Sequence, residues 1–407
     1  MGGMSEFLLQ NYSRLPITIA SGEGCYVRDT NGNRYLDAAT GIGVNALGYG
    51  HPRIAAALIE QASQCIHTSN LVSNCWQEPL ARKLCEISGM QRAFFSNSGT
   101  EAMEAALKAV RVDGRARGVN RVVALHQSFH GRTMGSLAVT GQPALRCSFE
   151  PFGGEVVFVE LNDGEALRAA IDEETAAVVL EPVLGEGGIY PLDDDFLRSA
   201  RHLSRAAGAL LVVDETQCGL GRTGRYFAYQ WAGIQPDIVV MAKPLAAGLP
   251  LGATLFTEET ARCLPVHSHG STFGGGPLAC RVALEFLSEL EHLLPNIRQT
   301  GEVIRCGLEE LKDRFDCIRE IRSRGMMFGI QLSRSGHPLV LETLRRGLLV
   351  NCTQETAIRL LPPYILTVGE ANEMLRILSD AFASLESVDE LPLDHSLQQD
   401  RQLDRLG

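Results

Sequence analysis

Between about residues 90 and 260, short apolar runs rich in β-branched residues alternate with longer stretches of helical period. RAFFS, VVALH, EVVFVE, AAVVLEPV, LLVVDE and DIVVMAK read as strands, whereas EAMEAALKAVR, GEALRAAI and DFLRSARHLSRAAG read as helices. Strand and helix in alternation predict an α/β fold, a mostly parallel sheet flanked by helices. Upstream, CYVRDTNGNRYLD sets an Asn-Gly turn between two β-prone runs, and HPRIAAALIEQASQC has the spacing of an amphipathic helix. Downstream come a long helical region at about 277–315, IRSRGMMFGIQL, RLLPP, and a last helix in GEANEMLRILSDAFASLES. These flanks predict a smaller α+β domain assembled from the N- and C-terminal segments. The expected division is 1–50 as part of the small domain, 51–285 as the large domain, 286–390 as the C-terminal small domain, and 391–407 as a loose polar tail.

Composition narrows the partners more than the fold. At 407 residues, 45% hydrophobic and 21% charged, the chain has material for a substantial core and a pocket. No uncharged apolar run reaches about eighteen residues, and MGGMSEFLLQNYSR lacks the basic start of a secretory signal. A cytoplasmic location without a membrane partner is therefore expected. The MGG start places Glu6 where a myristoylation signal wants Ser or Thr. Eleven scattered cysteines without a C-x-x-C pair read as reduced, small apolar residues. A net charge of −11 argues against nucleic-acid partners, so an anionic substrate must be gripped by local arginines.

Sites in open parallel sheets form at the carboxyl ends of strands. In FFSNSGTEAMEAALK, Ser98 and Glu101 have capping-box spacing, and the hydroxyls of Ser98 and Thr100 around Gly99 suit either a phosphate cradle or a simple helix cap. In LLVVDETQCGLGRTGR, Asp214 and Glu215 follow four apolar residues and need donors or a cation there. GLGRTG also fits a dinucleotide fingerprint, but it starts five residues past the strand, and neither a small-residue helix nor the expected distant acid follows. Lys243 closes the apolar run DIVVMAK, where a lysine either reaches solvent or is kept neutral for a purpose. Asp214 and Lys243 on neighbouring strands could form a structural ion pair. With the helix start, they also match pyridoxal 5′-phosphate, whose phosphate, ring nitrogen and aldehyde would use cradle, carboxylate and amine together.

Over about residues 14–386 the chain resembles the class III aminotransferases of the fold-type I pyridoxal-phosphate enzymes. The likeness rests on GIGVNALGYGHP, FFSNSGTEAMEAALK, SFHGRTMGSLAVTG, EPVLGEGGIYP, VVDETQCGLGRTGR, MAKPLAAGLPLGA, HGSTFGGGPLAC and GLLVNCTQETAIRLLPP. It implies that Lys243 forms a Schiff base with the cofactor and shuttles a proton, and that Asp214 holds the ring nitrogen protonated. Gln217 would bond the ring hydroxyl, Phe129 would stack on the ring, and Ser98, Gly99 and Thr100 would hold the phosphate. Thr272 would reach the phosphate bound in a partner subunit, implying a homodimer with its sites at the interface. Arg132 and Arg359 would hold substrate carboxylates, with Glu186 masking Arg359 while the amine donor binds. Within the family the implied reaction moves the terminal amine of N-acetylornithine to 2-oxoglutarate, as in arginine biosynthesis, with ping-pong kinetics. Ornithine, succinyldiaminopimelate, succinylornithine and 4-aminobutyrate are alternative donors, and a non-catalytic cofactor-binding protein is the reading from another class.

Two stretches depart from the family pattern: Pro244-Leu245-Ala246-Ala247 where glycines are usual, and Gly276 where Asn is common. His267 and His269 lack a third ligand, so no metal is expected. His51 and His130 read as residues orienting backbone, and Asp193, Asp194 and Asp195 as capping charge.

Overall fold

The structure, a computed structural model, describes residues 7–389, so the expected loose tail lies outside the described residues. Seven strands build the central sheet: β1 (Arg92–Ser96), β2 (Arg121–Leu125), β3 (Val156–Val159), β4 (Thr175–Leu180), β5 (Leu210–Asp214), β6 (Ile238–Met241) and β7 (Gly252–Phe256). Their spatial order is β1-β7-β6-β5-β4-β2-β3. From β3 to β6 all pairings are parallel, whereas β7 runs antiparallel to both β6 and β1. The single reversal has a local cause. Residues 242–251 contain one short 3-10 turn and no crossover helix, and a parallel return needs a crossover.

Both faces of the sheet are covered, as its continuous apolar strands require. Leu211, Val213, Val239 and Met241 join the larger apolar core, and Val212, Ile238 and Val240 join a second core on the other face. That second core includes Ala102, Ala105, Ala106 and Ala109 of the helix Gly99–Arg117, whose small residues let it lie close over β6 and β7.

The chain's ends meet. The strands Tyr26–Asp29 and Arg34–Asp37 pair around the expected Asn-Gly turn, with Gly32 at φ +86°. Leu348–Leu349 then adds in parallel to Arg34–Asp37. A separate antiparallel sheet holds Ile318–Arg324, Met327–Leu332, Ala357–Leu360 and Asn351–Thr353. The 38-residue helix Pro277–Arg314 runs from the large sheet to this smaller one and crosses the expected junction at 285/286 unbroken, with Pro295 inside it.

Six strands pointing the same way (β1 to β6) deliver their carboxyl ends to one edge. The start of β7 is pressed against that edge: a Cβ on Gly252 would lie 2.3 Å from the Ser98 carbonyl oxygen and 2.6 Å from Ser96 Oγ. Because backbone must move to admit it, Gly252→Ala should cost about 1–3 kcal/mol. A urea titration showing an unchanged midpoint would mean that this edge yields freely.

Candidate active site

A cleft of about 430 Å³ opens at this edge, lined among others by Ser98, Gly99, Thr100, Phe129, His130, Arg132, Glu181, Glu186, Asp214, Gln217 and Lys243. Asp214 and Lys243 thus face one space.

Ser98 caps the helix Gly99–Arg117: its Oγ accepts from the Glu101 N–H at 3.4 Å, while Glu101 Oε2 accepts from the Asn97 N–H at 2.7 Å. Ser98, Gly99 and Thr100 of the helix start line the cleft, with the helix dipole behind them. Gly99 is required by contact, since a Cβ there would sit 2.7 Å from Thr216 Cγ2. The Thr100 hydroxyl lies 2.7 Å from Ser136 Oγ and 3.0 Å from Thr133 Oγ1, and it accepts from the Arg132 N–H at 3.2 Å. The helix start and the loop carrying Phe129 to Arg132 are thereby fastened together.

Asp214, almost fully buried, does not pair with Lys243. Its Oδ2 lies 2.8 Å from His130 Nδ1 and its Oδ1 accepts from the Thr216 N–H at 3.0 Å. The expectation that His130 orients backbone is corrected here: a buried carboxylate needs compensation, and the imidazole supplies it from 84 residues away. His51 likewise reaches a side chain, with its Nε2 3.5 Å from Glu289. Next to Asp214, Glu215 accepts from the Ala228 and Tyr229 N–H groups, each at 2.9 Å, and burial still pushes its carboxyl up to about 7.

Lys243 stands two residues past β6 and opens the turn Lys243–Ala246. Its φ of +36° lies in the left-handed region, directly before Pro244, a conformation worth about 1–3 kcal/mol of strain. Bonds from Leu245 N–H to Ala242 O and from Ala247 N–H to Pro244 O hold the turn. Burial is the main cause that pushes the Lys243 amine below its ordinary range; Arg359 adds to it, against the opposite pull of Glu186, Glu181 and Asp214. Loss of the ammonium proton is thereby made easier than for a solvated lysine.

Arg359 is 1% exposed and reaches the cleft wall from the small sheet. Its Nη1 lies 2.6 Å from Glu186 Oε1, 3.1 Å from the Gly185 carbonyl oxygen and 3.3 Å from Gln217 Oε1, while Nε bonds Asn351 Oδ1 at 3.2 Å. Burial opposes charge on Glu186, but Arg359 and Lys243 outweigh it and hold the carboxyl below its usual range. Gln217, expected to bond a ring hydroxyl, is engaged by Arg359 and donates to Glu186 at 3.3 Å. Arg132 stands at the exposed rim, 5.5 Å over the Phe129 ring. Thr272 is exposed and lines a separate small depression with His67 and Asn74, outside this cleft. His269 bonds Lys108 at 3.0 Å, and among the described residues no group of three metal-ligating side chains occurs.

Sequence reasoning missed three members of the cleft: His130 as a partner of Asp214, Glu181, and Thr216. The EPVLGEGG block held the signal for Glu181, a carboxylate directly after the apolar run AAVVL. Two buried polar atoms on the wall have no partner among the described residues, His130 Nε2 and Thr216 Oγ1. Together with the helix start and the Lys243 amine they suit a small group carrying a phosphate, ring heteroatoms and a carbonyl.

The fold and this wall are those of an aminotransferase of class III, and the chain belongs to that family, whose model matches residues 8–382. Pyridoxal 5′-phosphate is the cofactor of this family, and the groups just described fit it. The acetylornithine aminotransferase of Aquifex aeolicus is 41% identical over 377 residues, covering 92% of this chain and 99% of that protein. Acetylornithine aminotransferase 1 of Bordetella bronchiseptica is 45% identical over 381 residues, with 92% and 97% covered. Among solved structures, the ornithine aminotransferase of Toxoplasma gondii ME49 superposes with a TM-score of 0.90 at 32% identity, covering 94% of each chain.

Removing Glu215 strands two buried amide donors beneath the Asp214 loop. Glu215→Ala is expected to lower stability by about 2–5 kcal/mol, read by urea denaturation. A loss below about 1 kcal/mol would show that Ala228 and Tyr229 find other acceptors.

Proposed function

We propose that this aminotransferase moves the terminal amine of N-acetylornithine to 2-oxoglutarate, giving N-acetylglutamate semialdehyde and glutamate, in the cytoplasm, as a step of arginine biosynthesis. The observation that carries the reading is the buried Arg359 covered by the half-buried Glu186 on the cleft wall. A guanidinium masked by a movable carboxylate suits a pocket that must take a donor with a remote amine and then a dicarboxylate acceptor. The 41% and 45% identity to acetylornithine aminotransferases supports that donor. Ornithine is the second reading, favoured by the Toxoplasma superposition.

When bound, pyridoxal 5′-phosphate supplies an aldehyde that condenses with amines and a ring that withdraws electrons from the attached carbon. Ser98, Gly99 and Thr100 would hold its phosphate at the helix start. Phe129 would cover one ring face, and Asp214, fixed by His130, would keep a proton at the ring nitrogen; each pKa unit of that bias is worth about 1.4 kcal/mol. Lys243 Nζ would hold the aldehyde and, with its amine unprotonated, would lift the proton from the amine-bearing carbon and return it. Arg132 at the rim orients the carboxylate remote from the reacting carbon. In the second half, Glu186 releases Arg359, which then grips a carboxylate of 2-oxoglutarate by bidentate pairing. Exposed Thr272 is read as reaching the site of a second copy, which makes the working unit a homodimer with interface sites, and neither nucleic acid nor membrane is read as a partner. The division at about 50, 285 and 390 is kept as the domain reading.

Borohydride reduction of the loaded enzyme should tether the cofactor to Lys243, and Lys243→Ala should lose both the tether and turnover, by at least about 10⁴-fold, without unfolding. Tethering elsewhere would sink the assignment of Lys243. Rates for a panel of amines with 2-oxoglutarate should rank N-acetylornithine first; a higher kcat/KM for ornithine would replace the donor. Glu186→Ala should raise the preference for glutamate over N-acetylornithine as donor by about tenfold, about 1.4 kcal/mol. An unchanged ranking would rule out the mask.

A further inference from the structure

Glu181 lines the cleft, is nearly fully buried, and has no part in the chemistry assigned above. It follows the last residue of β4, and its two oxygens reach different loops. Oε1 accepts from the Phe129 N–H at 2.8 Å, and Oε2 accepts from the Gly185 N–H at 3.2 Å. The first loop carries Phe129 and His130, hence the ring face and the partner of Asp214. The second carries Glu186, and the carbonyl of the same Gly185 receives Arg359. There is no slack on that side, because a Cβ on Gly185 would sit 2.1 Å from Gln217 Oε1. One carboxylate therefore spans the seat of the ring and the mask of the arginine.

We propose that Glu181 is a positioning residue whose ionised carboxylate ties the Phe129–His130 segment to the Gly185–Glu186 loop, so that one proton on Glu181 loosens ring seat and substrate switch together. The proposal rests on the cofactor seat and the Glu186 mask argued above. Ionised, the carboxylate accepts from both amides; protonated, one oxygen becomes a donor and one amide loses its acceptor. The groups facing it are His130, Asp214, Lys243 and Cys218. Burial first, then Asp214, raises the Glu181 carboxyl and His130 lowers it, leaving it at about 7. The sign follows: the tie forms as pH rises through about 7 and opens below it. Among the described residues His130 Nε2 is buried without a partner, and the imidazole is held through Nδ1 and the backbone N–H, so the bridge is what fixes its segment from the β4 side.

The test uses the full-length, cofactor-loaded enzyme and its Glu181→Gln and Glu181→Asp variants. Borohydride should tether cofactor to Lys243 in all three; failure in the wild type would overturn the cofactor seat itself, and the proposal with it. With tethering intact, the wild type should show a transition near neutrality in both the absorbance of the lysine-bound cofactor and kcat with its best amine, scanned from about pH 6 to about pH 8. Glu181→Gln should lack that transition and run about tenfold slower at the upper end, whereas Glu181→Asp should restore the transition. A loaded Glu181→Gln enzyme with the wild-type spectrum and pH profile would overturn the proposal. Should Glu181→Gln fail to fold, a wild-type enzyme without any spectral or kinetic transition in that range would overturn it equally.

Discussion

Everything at this site depends on carboxylates being buried where parallel strands end. Glu181, Asp214 and Glu215 stand at the carboxyl ends of two neighbouring strands, and each is at most 5% exposed. Burying an anion without donors costs several kcal/mol, so each must recruit partners, and the partners it recruits decide what it can do. Asp214 takes an imidazole and an amide. Glu215 takes two amides from the next loop and serves as a structural staple. Glu181 takes one amide from each of two functional loops. Three buried carboxyl groups thus take three different sets of partners, an imidazole with an amide, two amides of one loop, and one amide from each of two loops, by geometry alone.

The same constraint explains why the amine is where it is. Lys243 sits among Glu186, Glu181 and Asp214 on one side and Arg359 on the other, and desolvation, with Arg359, pushes its amine below the ordinary range. An amine left on a flexible loop would be solvated and protonated. Here the left-handed turn before Pro244 fixes its backbone, and Pro244, Leu245 and Ala246 of the unusual Pro-Leu-Ala-Ala run are buried, with Ala247 half-buried. The departure from a glycine-rich turn therefore exchanges chain freedom for apolar packing, which keeps the turn rigid under its own strain.

How much was legible in the sequence follows from range. Strand ends, the Ser98 cap, the Asn-Gly turn and the lone lysine after an apolar run are local patterns, and each was readable within about a dozen residues. The antiparallel β7 was not, because only the lack of a crossover between residues 242 and 251 signals it. His130 was misread because its partner lies 84 residues away, and a histidine in a glycine-containing loop looks the same whether it touches backbone or carboxylate. Glu181 was not legible because its two amide partners lie 52 and 4 residues away on different loops, whereas Glu186, the more exposed of the pair, sits in the same block. Long-range recruitment by buried charge is invisible to periodicity.

The GLGRTG stretch shows the converse, a pattern with a famous meaning that physics spends otherwise. Arg222 within it is 1% exposed, and burial pulls its guanidinium below the usual range. Its Nη1 donates to the carbonyls of Met326 and Pro362, and its guanidinium carbon stands 4.4 Å over the Tyr364 ring. Those three partners belong to the C-terminal segments, so the arginine bolts the loop after Asp214 to the region that carries Arg359. A guanidinium keeps its charge even when buried, and carbonyl dipoles with an aromatic face compensate it without supplying a counter-charge that would disturb the cleft.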